Sequence, residues 1–94
     1  DLAKEAFMEF LKKVPKQLDI IEDAIDMSSY DVVKFEAHSI KGAAYNMASK
    51  IIGDAACDLE YNVKNGNFQD IKDSFETLKS EFEILQASLK EINL

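Results

Sequence analysis

The sequence predicts an all-α protein, an antiparallel up-down four-helix bundle with an additional short helix at its N-terminus. Three observations carry that reading. Apolar residues recur at alternating steps of three and four along most of the 94-residue chain, the spacing that gathers them on one face of a helix. Only 3 glycines and 1 proline interrupt the pattern, and 47% of the residues are hydrophobic, which suits a packed helical core better than a strand-rich fold. Capping residues and turn signals fall between the periodic segments and leave loops of a few residues, so that sequential helices become neighbours. No internal repeat, low-complexity tract or linker divides the chain, and residues 1–94 read as one domain.

Leu2, Ala3, Phe7, Phe10, Leu11 and Val14 set the first helix, and Pro15 predicts its end near Val14, because proline disfavours helical backbone at the residue before it. Pro15 then suits the first turn of a second helix, whose buried face is Leu18, Ile21 and Ile25. Ser28, with Asp31 three residues on, reads as a capping box opening a third helix that runs to about Asn46 on a stripe of Val33, Ala37, Ile40, Ala44 and Met47. Ser49 is placed to cap a fourth helix carrying Ile52, Ala55, Ala56, Leu59 and Val63, which Asn65-Gly66 ends. Asn67 opens the last helix, with apolar positions Phe68, Ile71, Phe75, Leu78, Phe82, Leu85, Leu89 and Ile92.

Composition narrows the function. Acidic residues outnumber basic ones 18 to 11, for a formal net charge of -7, and no Lys/Arg cluster offers a surface for phosphate backbones, which argues against nucleic acid. A single cysteine, Cys57, cannot form an internal disulfide and fits a reducing, intracellular setting. No apolar run approaches the ~20 residues of a membrane span, and no signal region opens the chain. The chain begins at Asp1 without a methionine, as expected of a segment from a longer protein.

The only histidine, His38, lies inside the best mid-chain helical pattern. At about 100° per residue it points roughly 140° from the middle of the apolar stripe, hence toward solvent. Residues three and four apart are neighbours on a helix, so Lys34, Phe35, Lys41, Gly42 and Tyr45 surround it. A lone histidine is more often ordinary than functional, and several chemistries lack the residues they need. One His and one Cys make no recognisable zinc ligand set, nothing marks an oxyanion hole or pocket beside Cys57, and the scattered glycines form no phosphate loop, which argues against an autonomous kinase. Phosphoryl chemistry is the exception. An exposed imidazole with one unprotonated nitrogen is a nucleophile toward phosphorus, and the Lys41 ammonium can offset the charge it receives. Gly42 costs its helix about 1 kcal/mol relative to alanine, and a missing side chain beside the nucleophile lets another protein approach.

His38-Ser39-Ile40-Lys41-Gly42-Ala43-Ala44, followed by Leu59-Glu60, resembles the histidine phosphotransfer (HPt) domain of multistep two-component phosphorelays. That pattern reads roughly His-x-Leu-Lys-Gly-Ser/Ala-Ser/Ala, then a Gly-Ala corner, then Leu-Glu one helix later. The helical layout extends the resemblance over nearly the whole chain. Two positions depart from it: Ala48 stands where the family usually has Gly, and Ala56 where members often carry Cys, with Cys57 one residue later.

The resemblance implies that His38 accepts the phosphoryl group, Lys41 supports it and Gly42 gives the partner clearance. Glu60 would accept a hydrogen bond from the imidazole Nδ1 and orient it, although a solvated helix charge is the plain alternative. Lys34, Phe35 and Tyr45 would add docking contacts, or in the case of the aromatics pack on the bundle. The chain would bind no cofactor of its own, with Mg²⁺ coming from the partner. Expected partners are response-regulator receiver domains and a hybrid histidine kinase, for a monomer in the cytoplasm, tethered if its parent is membrane-bound. Two alternatives remain open from the residues: a non-catalytic helical docking module, and the phosphoacceptor domain of a chemotaxis-type histidine kinase.

Overall fold

The computed structural model describes residues 2–47 and 49–91 of the chain. Among these residues there are four α-helices and no strand: α1, Leu2–Asp26; α2, Tyr30–Asn46; α3, Lys50–Lys64; and α4, Phe68–Glu91. α1 packs on α2 and α4, and α3 on α2 and α4, so the four apolar faces close on one core.

The expected short N-terminal helix is not separate. α1 runs unbroken through Pro15. The reason lies in its buried face: Phe10, Val14, Gln17, Leu18, Ile21 and Ala24 continue in one stripe across the proline. A proline inside a helix costs roughly 3 kcal/mol through a missing N–H bond and a clash with the preceding turn. Burying Val14, Leu18 and Ile21 together is worth more, at about 1.5–3 kcal/mol per side chain. Packing therefore overrides the local preference that Pro15 imposes on Val14.

The other stripes form as the periodicity predicts. α2 buries Val33, Ala37, Ile40 and Ala44, α3 buries Ile52, Ala55, Ala56 and Leu59, and α4 buries Ile71, Phe75, Leu78 and Phe82. Met47, Val63 and Leu85 pack on this core half-exposed. The stripes fail at their ends. Leu2 is exposed, and Phe68 is an exposed ring stacked on Tyr30, their centroids 4.7 Å apart. Ile92 and Ala48 lie outside the described residues.

The turns differ from expectation at one point. Ser28 is not the cap of α2: its φ of 57° places it in the left-handed region, and it ends α1. The Ser29 N–H donates to the Ala24 carbonyl at 2.8 Å and the Ser28 N–H to that of Ile25 at 3.0 Å, the paired bonds of a helix stop usually built on glycine. Ser29 takes the cap position, with no side-chain capping bond, so the Ser28–Asp31 capping box does not form. Gly66 closes α3 by the same device at φ 69°, as Asn65-Gly66 predicts. Ser49 stands at the start of α3 without a side-chain cap; its carbonyl accepts the Gly53 N–H at 3.0 Å.

One buried polar residue fixes how α1 meets α2. Gln17 occupies a core position, and its amide nitrogen donates to Glu36 Oε1 and to Ser39 Oγ, each at 3.0 Å. These partners flank His38 in sequence, so the bonds lock the helix that carries it. An amide without such partners would lose on the order of 1–3 kcal/mol on burial.

Candidate functional site

α2 presents His38 on the side away from the core, where its side chain keeps 68% of its accessible surface. α3 brings Glu60 up beneath it. Glu60 is 8% exposed, because it follows core residue Leu59 and turns along the α2–α3 seam. His38 Nδ1 lies 2.8 Å from Glu60 Oε2, and Lys41 Nζ lies 2.7 Å from Glu60 Oε1. One buried carboxylate thus holds both residues, one on each oxygen.

The electrostatics follow from that geometry. Burial pushes the Glu60 carboxyl upward, but the hydrogen bonds from Lys41 and His38, reinforced by their charges, outweigh it and leave the group below its ordinary 4.5. The Glu60 bond holds the Lys41 ammonium above its ordinary 10.5, against a smaller downward effect of burial. Glu60 is therefore anionic at neutral pH. An ionised carboxylate only accepts, so Nδ1 of a neutral His38 carries the proton and Nε2 keeps its lone pair.

Lys41 departs from its expected outward position. Its side chain is only 25% exposed, and its ammonium rests on Glu60 in the seam between the helices. The short α2 step from 38 to 41 brings both residues to the same side of the seam, which helical arithmetic alone could not resolve from full exposure.

Gly42 is exposed, and a Cβ built on it would meet nothing within 4 Å. No contact inside the protein accounts for the glycine. Lys34 and Phe35 are also exposed, and with Asp31, His38 and Glu60 they line an open depression beside the imidazole. Tyr45, 45% exposed, leans over α3: its ring covers Gly53, and its hydroxyl donates to Asp54 Oδ1 at 2.7 Å. Lys50 donates to the other Asp54 oxygen, also at 2.7 Å. The hydrogen bond to Asp54 pushes the Tyr45 hydroxyl up to about 12, and the bonds from Lys50 and Tyr45 hold the Asp54 carboxyl below its ordinary 3.8.

The structure thus brings His38, Lys41 and Glu60 into contact, and sets Gly42, Lys34, Phe35 and Tyr45 around them without a shared bond. Sequence reasoning missed Gln17, Gly53 and Asp54. Gln17 had a signal, a polar residue at a stripe position. Gly53 had a weak one, a glycine on a predicted helix. Among the described residues no three His, Cys, Asp or Glu side chains are grouped so as to hold a metal ion, and no helix is long and apolar enough to cross a membrane.

Comparison of the chain with curated proteins and with solved structures returns no match to either. A family does match, over residues 5–88, a span that includes α2, α3 and the whole His38–Lys41–Glu60 cluster. Since the match covers most of the 94-residue chain, the chain belongs to the Hpt domain family.

Proposed function

We propose that this chain is a phosphohistidine carrier in a multistep phosphorelay: His38 takes a phosphoryl group from the aspartyl phosphate of a receiver domain and passes it to another receiver. The observation that carries the reading is the 2.8 Å pairing of a buried, ionised Glu60 with Nδ1 of a solvent-facing imidazole. In the forward step the Nε2 lone pair forms the N–P bond while the P–O bond to the aspartate breaks and the aspartate leaves as a carboxylate. The Nδ1 proton stays on the ring, and Glu60 offsets the positive charge that the ring acquires. Each later transfer runs the same bonds in reverse.

The remaining roles follow. Lys41 keeps Glu60 ionised and places a cation one turn from the transferred group. Gly42 leaves the space a receiver must enter, and Lys34, Phe35 and Tyr45 give it polar and apolar contacts. Mg²⁺ belongs to the receiver. The carrier is a single domain and a monomer working in the cytoplasm. Its helices alternate up and down, which the pairings of His38 with Glu60 and of Tyr45 with Asp54 support, since they join α2 and α3 in opposite sequence order.

A panel of phosphorylated receivers should label the wild type rapidly and leave His38→Gln unlabelled. Equal labelling of the two ends the reading. Labelling by a kinase domain alone, with none by any receiver, would move the chain to the chemotaxis-type class of phosphoacceptor, and binding without labelling would make it a docking module.

A further inference from the structure

Two glycines lie on or against the face that carries His38, for opposite reasons. Gly42 borders open space, whereas a Cβ on Gly53 would overlap the Tyr45 ring. Gly53 is buried on α3, and the ring that buries it comes from α2. Tyr45 follows His38 by seven residues, which sets it roughly 10 Å further along α2 and within about 20° of the same direction. Gly42 stands between them. The imidazole and the phenol ring therefore flank the gap over Gly42, one at each end.

Where the Tyr45 ring rests decides whether that gap stays open. Long side chains on a helix lean back toward its N-terminus, and the turn that precedes Tyr45 holds Lys41 and Gly42. The ring instead crosses to α3 because Gly53 offers bare backbone to lie on and the Asp54 carboxylate takes its hydroxyl. Lys50 in turn holds Asp54 from the far oxygen. A ring displaced from this seat can swing out to solvent or back toward the open space over Gly42.

Resting on the phosphotransfer reading, we propose that Gly53 and Asp54 are positioning residues for docking: they seat and fasten the Tyr45 ring on α3, keeping the gap over Gly42 open for the receiver that closes on His38. Neither residue touches the reacting atoms. Their effect reaches the reaction through a side chain on the neighbouring helix.

The test compares receiver-dependent labelling of His38 across a range of phosphorylated receiver concentrations in wild type, Gly53→Ala, Asp54→Ala, Tyr45→Ala and the Tyr45→Ala/Gly53→Ala pair. Gly53→Ala should raise the half-saturating receiver concentration about fivefold with little change in the maximal rate, the signature of weakened docking. In the Tyr45→Ala background the same substitution should add nothing, because no ring remains to displace. The Gly53 Hα resonance, shielded by the ring in the wild type, should shift downfield in Asp54→Ala, with a rise in half-saturation. An unchanged half-saturating concentration in Gly53→Ala, or an equal rise with and without Tyr45, overturns the proposal. Should Gly53→Ala fail to fold, an unchanged half-saturating concentration in Asp54→Ala overturns it alone. A wild type that no phosphorylated receiver labels overturns the phosphotransfer reading itself, and is distinguishable from a labelled wild type that is indifferent to both substitutions.

Discussion

Lys41 Nζ rests 2.7 Å from Glu60 Oε1, on the same carboxylate whose other oxygen takes His38. The cation and the imidazole are coupled through an anion that both contact. This coupling has a pH signature. Glu60 titrates below its ordinary 4.5 in the folded protein, so its contribution to stability is fully present above 4.5 and is lost as pH falls through the lowered value. Urea midpoints of wild type and Glu60→Gln should differ most near neutral pH and converge well below 4.5. A difference that persists undiminished in acid would mean that Glu60 acts by packing and not by charge.

Gly42→Ala should raise stability and impair transfer together. The alanine meets nothing within 4 Å, and helix propensity favours it by about 1 kcal/mol. Thermal unfolding should therefore move upward while receiver-dependent labelling of His38 slows. A variant that is both more stable and equally fast would free Gly42 from any role in docking.

Pro15→Ala should stabilise the protein. α1 continues through this position with Val14 and Leu18 buried on either side, so alanine restores a backbone donor and removes a clash, at a small cost in packing because Pro15 is only half-buried. Against a penalty of roughly 3 kcal/mol for interior proline, about 0.4–1 kcal/mol returns to the unfolded chain as entropy, for a net gain near 2 kcal/mol. A lowered urea midpoint would show that the proline shapes α1 in a way the core depends on.

Gln17 should divide volume from hydrogen bonding. Gln17→Ala leaves a gap and takes a donor from Ser39 and Glu36, for a loss of about 1–3 kcal/mol. Gln17→Leu keeps most of the volume, and Glu36 and Ser39 are only half-buried and can turn to water, so its loss should stay near 1 kcal/mol. Equal losses in denaturant titrations would assign the whole effect to the hydrogen bonds and none to volume.

Periodicity made the fold legible where many residues repeat one statement. α2, α3 and α4 each carry four buried apolar residues at steps of three and four, or one apart, and their middles fall where the pattern puts them. It failed where one residue speaks alone. Pro15 argues for a break, yet the stripe on either side of it is continuous, and only the closed core shows which effect is larger. Ser28 has the composition of a cap and the conformation of a helix stop, because the backbone bonds of Ser28 to Ile25 and of Ser29 to Ala24 close α1 there. At the site, His38 and Gly42 were legible from α2 by itself. Glu60 came through family resemblance, since a contact between helices depends on their relative rotation. For the same reason the partner of Lys41 and the seat of Tyr45 could not be read from α2.

The two helical glycines would part company under selection in the laboratory. Screened for heat resistance alone, the protein should trade Gly42 for alanine early, since nothing inside the chain resists the change, while Gly53 stays locked by the ring that lies on it. The result would be a sturdier bundle that serves its partners worse. On the phosphotransfer reading, that loss would show Gly42 answering to another molecule, since no contact within the domain calls for it.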